Sequence, residues 1–402
     1  MGNPYELDKA EHDRRYARIA AKYLPACEPQ EKPRAIIIGG QPGSGKGQLT
    51  QQAAREMFKE GGFVLVDADT LRSRHPQNNQ LMRENDREAA SLTHNDASKW
   101  AKRLTNDAIE GRRNIIIDQT SKSPDSLVAR TTQLREAGYH VELRVMAVNA
   151  ETSEQRIHTR YENQKAVDGA GRFVPKEVHD AAYVGLPESV AAVERGKTVD
   201  ALSVYDKNQK RIYENTQQNG EWVLQPPGGK AALETERNRA LTLQDHKEQA
   251  AAYIKLAEML EKRGAEPAER EAIEAQRLKA TRRLAAETFR QLPPAEALKS
   301  HPELAGAYAA VAAMGAKAKE DGLSADQRQV VMARTRYNVA AAIEQGKTPQ
   351  VQVREVSQAK QQDRPSTDKE LEPRPADLAC FVTIWAKRLG VRAFQLLKTR
   401  AR

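Results

Sequence analysis

Gly40-Gln41-Pro42-Gly43-Ser44-Gly45-Lys46-Gly47 follows the apolar run Ala35-Ile36-Ile37-Ile38-Gly39 and precedes a polar stretch with helical spacing. A buried strand that ends in glycines and passes into a helix turns its backbone N–H groups inward, and the positive end of the helix dipole faces the same point. This order predicts a P-loop in which Gly40, Gln41, Pro42, Gly43, Ser44, Gly45, Lys46 and Gly47 bind a nucleoside triphosphate. Lys46 would serve as a mobile point charge on the β and γ phosphates. Gly47 stands where the pattern has Ser or Thr, so the hydroxyl that ordinarily ligates Mg²⁺ is missing. Mg²⁺ keeps several waters, and one of them can take that place. Thr50, one turn further along the helix, is a poor replacement.

The chain has 402 residues, too many for one ordinary core, so two domains with tails are expected. No apolar run is long enough to span a membrane, and the N-terminus does not read as a secretory signal. Cys27 and Cys380 are far apart and in no metal spacing, which favours a reducing, cytoplasmic setting. The net charge of +9 favours anionic partners without choosing among nucleotide, nucleic acid and acidic lipid.

Residues 1–30 read as an amphipathic helix closed by Pro25 and Pro29. Across 31–225 short apolar runs alternate with polar helices, which predicts an α/β domain with a parallel sheet flanked by helices. Strands are expected at Ala35–Gly39, Phe63–Asp67, Asn114–Asp118 and Val141–Val148, with helices at Gln48–Lys59, His94–Glu110 and Ser126–Ala137. Val204 to Tyr213 reads as a hairpin turning at Lys207-Asn208. Residues 231–346 read as an all-helical domain, with helices at Leu233–Arg263, Pro267–Phe289, Ala295–Lys319 and Ala325–Gln345. A disordered linker is expected over 347–375. Over 376–402 a basic amphipathic helix either binds anionic membrane or nucleic acid or docks on a protein surface.

A phosphotransferase also needs an acceptor for the proton of the attacking hydroxyl, and cations on the moving phosphoryl group. The second strand ends in Val66-Asp67-Ala68-Asp69, and carboxylates at the C-terminal ends of parallel strands sit beside the P-loop. Asp69 is the candidate base and Asp67 a substrate contact, although either one could instead cap the following helix. The third strand runs Ile115-Ile116-Ile117-Asp118-Gln119-Thr120. Asp118 would hold Mg²⁺ through a water or bind substrate, and Thr120 would contact substrate. Arg160, and Arg172 in the glycine-bounded segment Gly169 to Pro175, suit a transition-state clamp because a planar guanidinium matches phosphate oxygens.

Further stretches stand in order along 32–215: His75-Pro76, His94-x-Asp96-Ala97-Ser98, Val145-Met146-Ala147-Val148, Arg160-Tyr161-Glu162, Gly171-Arg172-Phe173-Val174-Pro175, His179 and Leu186-Pro187. Together with the loop and Asp67-Ala68-Asp69-Thr70, they make this region resemble the zeta toxin family of P-loop kinases. The resemblance implies ATP- or GTP-dependent phosphorylation of the 3-hydroxyl on the amino sugar of UDP-N-acetylglucosamine. It also implies Lys46, Asp69, Arg160 and Arg172 in catalysis, with Asp118 and Thr120 in the sugar-nucleotide pocket. Gly47 and Asp118, the latter where a longer glutamate can occur, depart from the family pattern. The wider family admits other acceptors, nicotinamide dinucleotides among them. An antitoxin is implied as partner, acting in trans, or in cis through the N-terminal helix or the helical domain. A nucleotide-gated interaction module that binds nucleic acid through residues 231–402, and a catalytically silent kinase, are the competing readings.

Overall fold

The computed structural model describes residues 3–349; the helix expected over 376–402, and all but the first three residues of the linker expected over 347–375, lie outside them. The described residues form two compact units, one of residues 3–240 with 258–266, the other of residues 241–257 with 267–349. The first unit opens with α1 (Lys9–Tyr23) and continues through β1 (Arg34–Gly39), α2 (Lys46–Phe58), β2 (Val64–Asp67), α3 (Ala68–Arg72), α4 (Asn78–Glu84) and α5 (Asp86–Glu110). Then come β3 (Ile115–Asp118), α6 (Pro124–Glu136), β4 (His140–Met146), α7 (Ala150–Asp168), α8 (Lys176–Gly196), β5 (Ala201–Tyr205), β6 (Arg211–Gln218), β7 (Glu221–Trp222) and α9 (Gly229–Asn238).

The strands form one sheet in the order β2-β3-β1-β4-β5-β6-β7. The pairs from β2 to β5 are parallel, and β6 and β7 extend the edge antiparallel. The α/β fold with a parallel-dominated sheet is therefore present as expected. The period of two along β1 divides the core. Ile36 and Ile38 pack with Leu49, Ala53 and Met57 of α2. Ala35 and Ile37 pack on the opposite face with Trp100 and Leu104 of α5, Val190 of α8 and Leu233 of α9. Burial on both faces is why three consecutive isoleucines are accommodated in β1 and again in β3.

Some boundaries differ from the sequence reading for local reasons. Helix α5 begins at Asp86 rather than His94, since the Asn85 side chain accepts from the Arg87 N–H at 3.2 Å and caps it. The β5–β6 turn is organised by Asp206, whose Oδ1 accepts from the N–H groups of Asn208 (2.8 Å) and Lys210 (2.9 Å). Helix α1, expected as one of the segments that block the nucleotide site in cis, buries Tyr16 and Ile19 in the same core as Trp100 of α5. The Trp100 indole N–H donates to the His12 carbonyl at 3.1 Å, so α1 is a structural layer of this unit.

The second unit is all-helical. Its elements are α10 (Leu243–Arg263, whose last turns count with the first unit), α11 (Pro267–Gln291), α12 (Pro294–Ser300), α13 (Ala305–Glu320) and α14 (Ala325–Glu344). Its core joins Ala286 and Phe289 of α11, Tyr308 and Val311 of α13, and Val339 and Ile343 of α14. Two long helices expected here are each broken. Leu233–Arg263 divides after Asn238, with Arg239 extended (φ −59°, ψ 147°) and Thr242 bonded to Asp245 at the next helix start. Ala295–Lys319 divides at Pro302, which lacks the N–H to continue a helix. No helix among the described residues is long and apolar enough to cross a membrane.

Ile37 is fully buried at the centre of the sheet. Ile37→Ala is expected to lower unfolding stability by about 2–5 kcal/mol, seen as a lower urea midpoint at unchanged slope.

Candidate active site

The site lies at the C-terminal end of β1, where the connections diverge to β3 on one side and β4 on the other. Gly45 is the N-cap of α2 in the left-handed region (φ 95°) and supplies no side chain to the orphan amides, which are left for a ligand. Gly43 is also left-handed (φ 77°), and a Cβ there would lie 2.1 Å from the Ser153 carbonyl oxygen. Only glycine allows the loop to sit this close to α7.

Lys46 donates to the Gly40 carbonyl at 2.9 Å, and its Nζ lies 4.0 Å from Asp118 Oδ1. Burial lowers its pKa, opposed by Asp118 and Asp69. Strand register sets Asp118 level with Ile38 on one side and Asp67 on the other. Thr50 Oγ1 donates to Asp118 Oδ2 at 2.8 Å. Burial raises the Asp118 pKa, with Lys46 opposing.

The two carboxylates after β2 divide their tasks. Asp67 is the N-cap of α3: its Oδ1 accepts from the Asp69 N–H at 2.9 Å and its Oδ2 from Thr70 Oγ1 at 2.6 Å. Expected as a substrate contact, Asp67 has both oxygens committed to this cap. Asp69 turns the other way and pairs with Arg72 through Oδ1 and with Arg172 through Oδ2. Burial pushes the Asp69 carboxyl up, but Arg172, Arg72 and Lys46 outweigh it and hold the carboxyl below its ordinary range.

Arg160 projects from the middle of α7. It is half-buried, and desolvation together with Arg172 and Arg72 brings its pKa down to about 10, with Asp69 opposing. Its Nε and Nη2 are buried without hydrogen-bond partners, as are Nε of Arg72, Nε of Arg172 and Oγ of Ser44. The segment carrying Arg172 is anchored in this structure. The Gly171 N–H donates to Asp86 Oδ2 (2.9 Å), the Arg172 N–H to Gln164 Oε1 (2.8 Å), and Phe173 packs edge-on against Tyr161. Thr120 is half-buried two residues beyond Asp118.

Lys46, Arg72, Arg160 and Arg172 thus meet mainly Asp69 and Asp118. Buried guanidinium donors without acceptors beside an excess of positive charge fit a ligand rich in oxyanions, as a nucleoside triphosphate is. Mg²⁺ also fits, within limits: Gly47 gives it no hydroxyl and Thr50 is engaged with Asp118, which leaves Asp118 Oδ1 as a carboxylate oxygen that could face it. Elsewhere Glu154, His179 and Asp180 bring ligand-type atoms within 4.8 Å of one another. Lys176 already occupies that cluster, 2.8 Å from Glu154 and 2.9 Å from Asp180.

Arg72 was not singled out from the sequence. Its signal was the Asp69-x-x-Arg72 spacing, which places both side chains on one helical face. The Thr50–Asp118 bond carried no signal, because it joins residues 68 positions apart.

A doubly covered parallel sheet with a glycine loop, its lysine and an arginine cluster at the switch point defines a P-loop phosphotransferase. The zeta toxin family profile matches residues 19–218. Toxin zeta of Enterococcus hirae is 26% identical over 215 residues, covering 53% of this chain and 72% of that protein. Toxin PezT of Streptococcus pneumoniae is 27% identical over 186 residues, covering 46% and 73%. A solved chain from the PezAT chromosomal toxin-antitoxin system of Streptococcus pneumoniae superposes with a TM-score of 0.54 at 21% identity, covering 65% of this chain and 100% of its own. The chain belongs to the zeta toxin family through residues 19–218.

Because the folded-state pKa of Asp69 is depressed, its stabilising contribution is present above the unfolded carboxylate value, about 3.9, and is lost as pH falls through the folded value. Asp69→Asn is therefore expected to be less stable than wild type at neutral pH. The gap should close in acid-denaturation curves below about pH 4; a gap that stays constant with pH would assign the effect to packing.

Proposed function

We propose that this chain is an ATP- or GTP-dependent kinase that phosphorylates the sugar 3-hydroxyl of UDP-N-acetylglucosamine, as the toxin of a toxin–antitoxin system. The observation that carries the reaction type is Asp69 held between Arg72 and Arg172 beside the P-loop lysine. At rest the arginines suppress the basicity of Asp69. A γ-phosphate that reaches the cluster offers them three oxygens in place of one carboxylate, which releases Asp69 towards the acceptor hydroxyl. The hydroxyl oxygen then bonds to the γ-phosphorus, its proton passes to Asp69, and the bond from phosphorus to the β,γ-bridging oxygen breaks to release the nucleoside diphosphate. Lys46, Arg160 and Arg172 stabilise charge on the phosphoryl oxygens, and the P-loop amides hold the β phosphate. Asp118 would hold Mg²⁺ through a water, and the ion would supply neutralising charge to the phosphates.

The choice of acceptor rests on the family relation and on the placement of Asp118 and Thr120 at the sheet end. A producing cell must restrain such an activity, and the solved PezAT relative comes from a toxin-antitoxin system. An antitoxin acting in trans is therefore part of this reading, as is a cytoplasmic setting where the nucleotide sugar is made.

The assignment is tested by incubating the full chain with ATP or GTP and a panel of nucleotide sugars and nicotinamide dinucleotides, with products read by mass spectrometry. A phosphorylated UDP-N-acetylglucosamine is expected, reduced at least about 100-fold in Lys46→Ala and Asp69→Asn. Turnover equal in wild type and Lys46→Ala would overturn it. Position 47 offers open space, with no atom within 4 Å of a Cβ placed there. Gly47→Ser is expected to lower the Mg²⁺ concentration needed for half-maximal turnover, with little change at saturation. An unchanged Mg²⁺ dependence would place the metal away from this end of the loop.

A further inference from the structure

Past the matched segment, helix α9 packs within the first unit and delivers Arg237 to Gln41 of the P-loop. Arg237 is only 3% exposed. Its Nη1 donates to the Tyr183 carbonyl at 2.7 Å, its guanidinium lies 4.1 Å from the Tyr183 ring centre, and its Nη2 donates to Gln41 Oε1 at 2.8 Å. Among the described residues it has no carboxylate in its hydrogen-bond shell, and its Nε is buried without a partner. Burial brings its pKa down to about 10, with Tyr183 and Glu234 opposing, so it remains a cation at neutral pH. A buried guanidinium without an ion-pair partner is costly, and an apolar side chain would fill the same space more cheaply.

Gln41 is fully buried and is the hub of this arrangement. Its Nε2 donates to the Val148 carbonyl at 2.8 Å and to Ser153 Oγ at 3.2 Å. Ser153 Oγ lies 2.8 Å from His179 Nε2, and the Ser153 carbonyl is the atom that leaves no room for a Cβ at Gly43. Gln41 therefore ties the P-loop to the end of β4 and to α7, the helix that carries Arg160. A glutamine amide can face either way, and Arg237 and the Val148 carbonyl fix it from opposite ends, because only Oε1 can accept from a guanidinium and only Nε2 can donate to a carbonyl. Without Arg237, Oε1 becomes a buried acceptor with no donor, and Gln41 is held only from the side of Val148 and Ser153.

We propose that Arg237 is a positioning residue that fixes the P-loop through Gln41, which makes α9 part of the nucleotide-binding machinery of this chain although it lies beyond residues 19–218. The inference rests on the phosphotransferase reading. It is tested on the full chain by titrating a fluorescent ATP analogue into wild type, Arg237→Met, Arg237→Lys, Gln41→Ala and the double variant Gln41→Ala/Arg237→Met, with thermal melts alongside.

Arg237→Met is expected to raise the Kd at least tenfold, and the KM for ATP with it, while kcat changes less. Lysine keeps the charge but cannot span Tyr183 and Gln41 together, so Arg237→Lys should raise the Kd at least threefold. The Gln41→Ala and Arg237→Met effects should be far from additive, since both remove the same bond. A purely structural arginine would lower melting temperature without this coupling. Folded Arg237→Met that binds within twofold of wild type, or losses that simply add, overturns the inference and leaves the kinase reading intact. If Arg237→Met does not fold, folded Arg237→Lys with unchanged affinity overturns it equally. Wild type that binds no nucleotide overturns both.

Discussion

Cations crowd the mouth of this sheet, and Asp69 is what holds them there. Arg72 and Arg172 reach its two oxygens from different segments, while Lys46 stands nearby and Arg160 adds two buried N–H groups without partners among the described residues. Like charges this close repel strongly in a partly desolvated crevice, and one carboxylate relieves only part of that repulsion. The charge left over suits an anionic ligand. That tension links fold to chemistry: the pairings Asp69 makes with Arg72 and Arg172 are the ones a phosphate would replace.

Much of the remaining structure serves to place those side chains. β1 and β3 are buried on both faces, so their ends are fixed to within the register of the sheet, and Asp118 is fixed with them. Asp67 caps the short helix that orients Asp69 and Arg72. Asp86 accepts from the backbone at Gly171, which anchors the segment presenting Arg172, and its carboxylate is paired with Lys165. Burial raises the Asp86 pKa, but the Gly171 N–H, Lys165 and Tyr161 outweigh it and keep the carboxyl lowered and ionised. Each supporting carboxylate is committed to a backbone or cationic partner, so Asp69 is left as the one that faces the arginines.

The departure at Gly47 has a local counterpart. Where a P-loop hydroxyl would face the metal there is open space, and the nearby hydroxyl of Thr50 is turned to Asp118 instead. In the proposed kinase, metal holding would shift from the loop towards Asp118 at the end of β3. The loop is in turn buttressed from behind by Gln41 and Arg237, so its shape is set by contacts outside the glycine motif as well as by the glycines.

The sequence alone determined the parallel α/β core, the loop and the family, because these are written in local patterns. They are an isoleucine run buried on both faces, glycines at positions that must be left-handed, and separated motifs in order. It also brought forward Asp69, Asp118, Arg160 and Arg172, since polar residues that abruptly end buried strands or flank glycines stand out from their surroundings. Which of Asp67 and Asp69 would cap a helix was open, because both fit the same spacing; the chain path after β2 decided it. The breaks after Asn238 and at Pro302, the anchoring of Arg172 through Asp86, and the partners of Gln41 and Thr50 were decided only by tertiary structure. Their bonds join residues far apart in the chain, such as the 196 positions between Gln41 and Arg237. No local pattern encodes a contact that exists only once the sheet has brought its strand ends together.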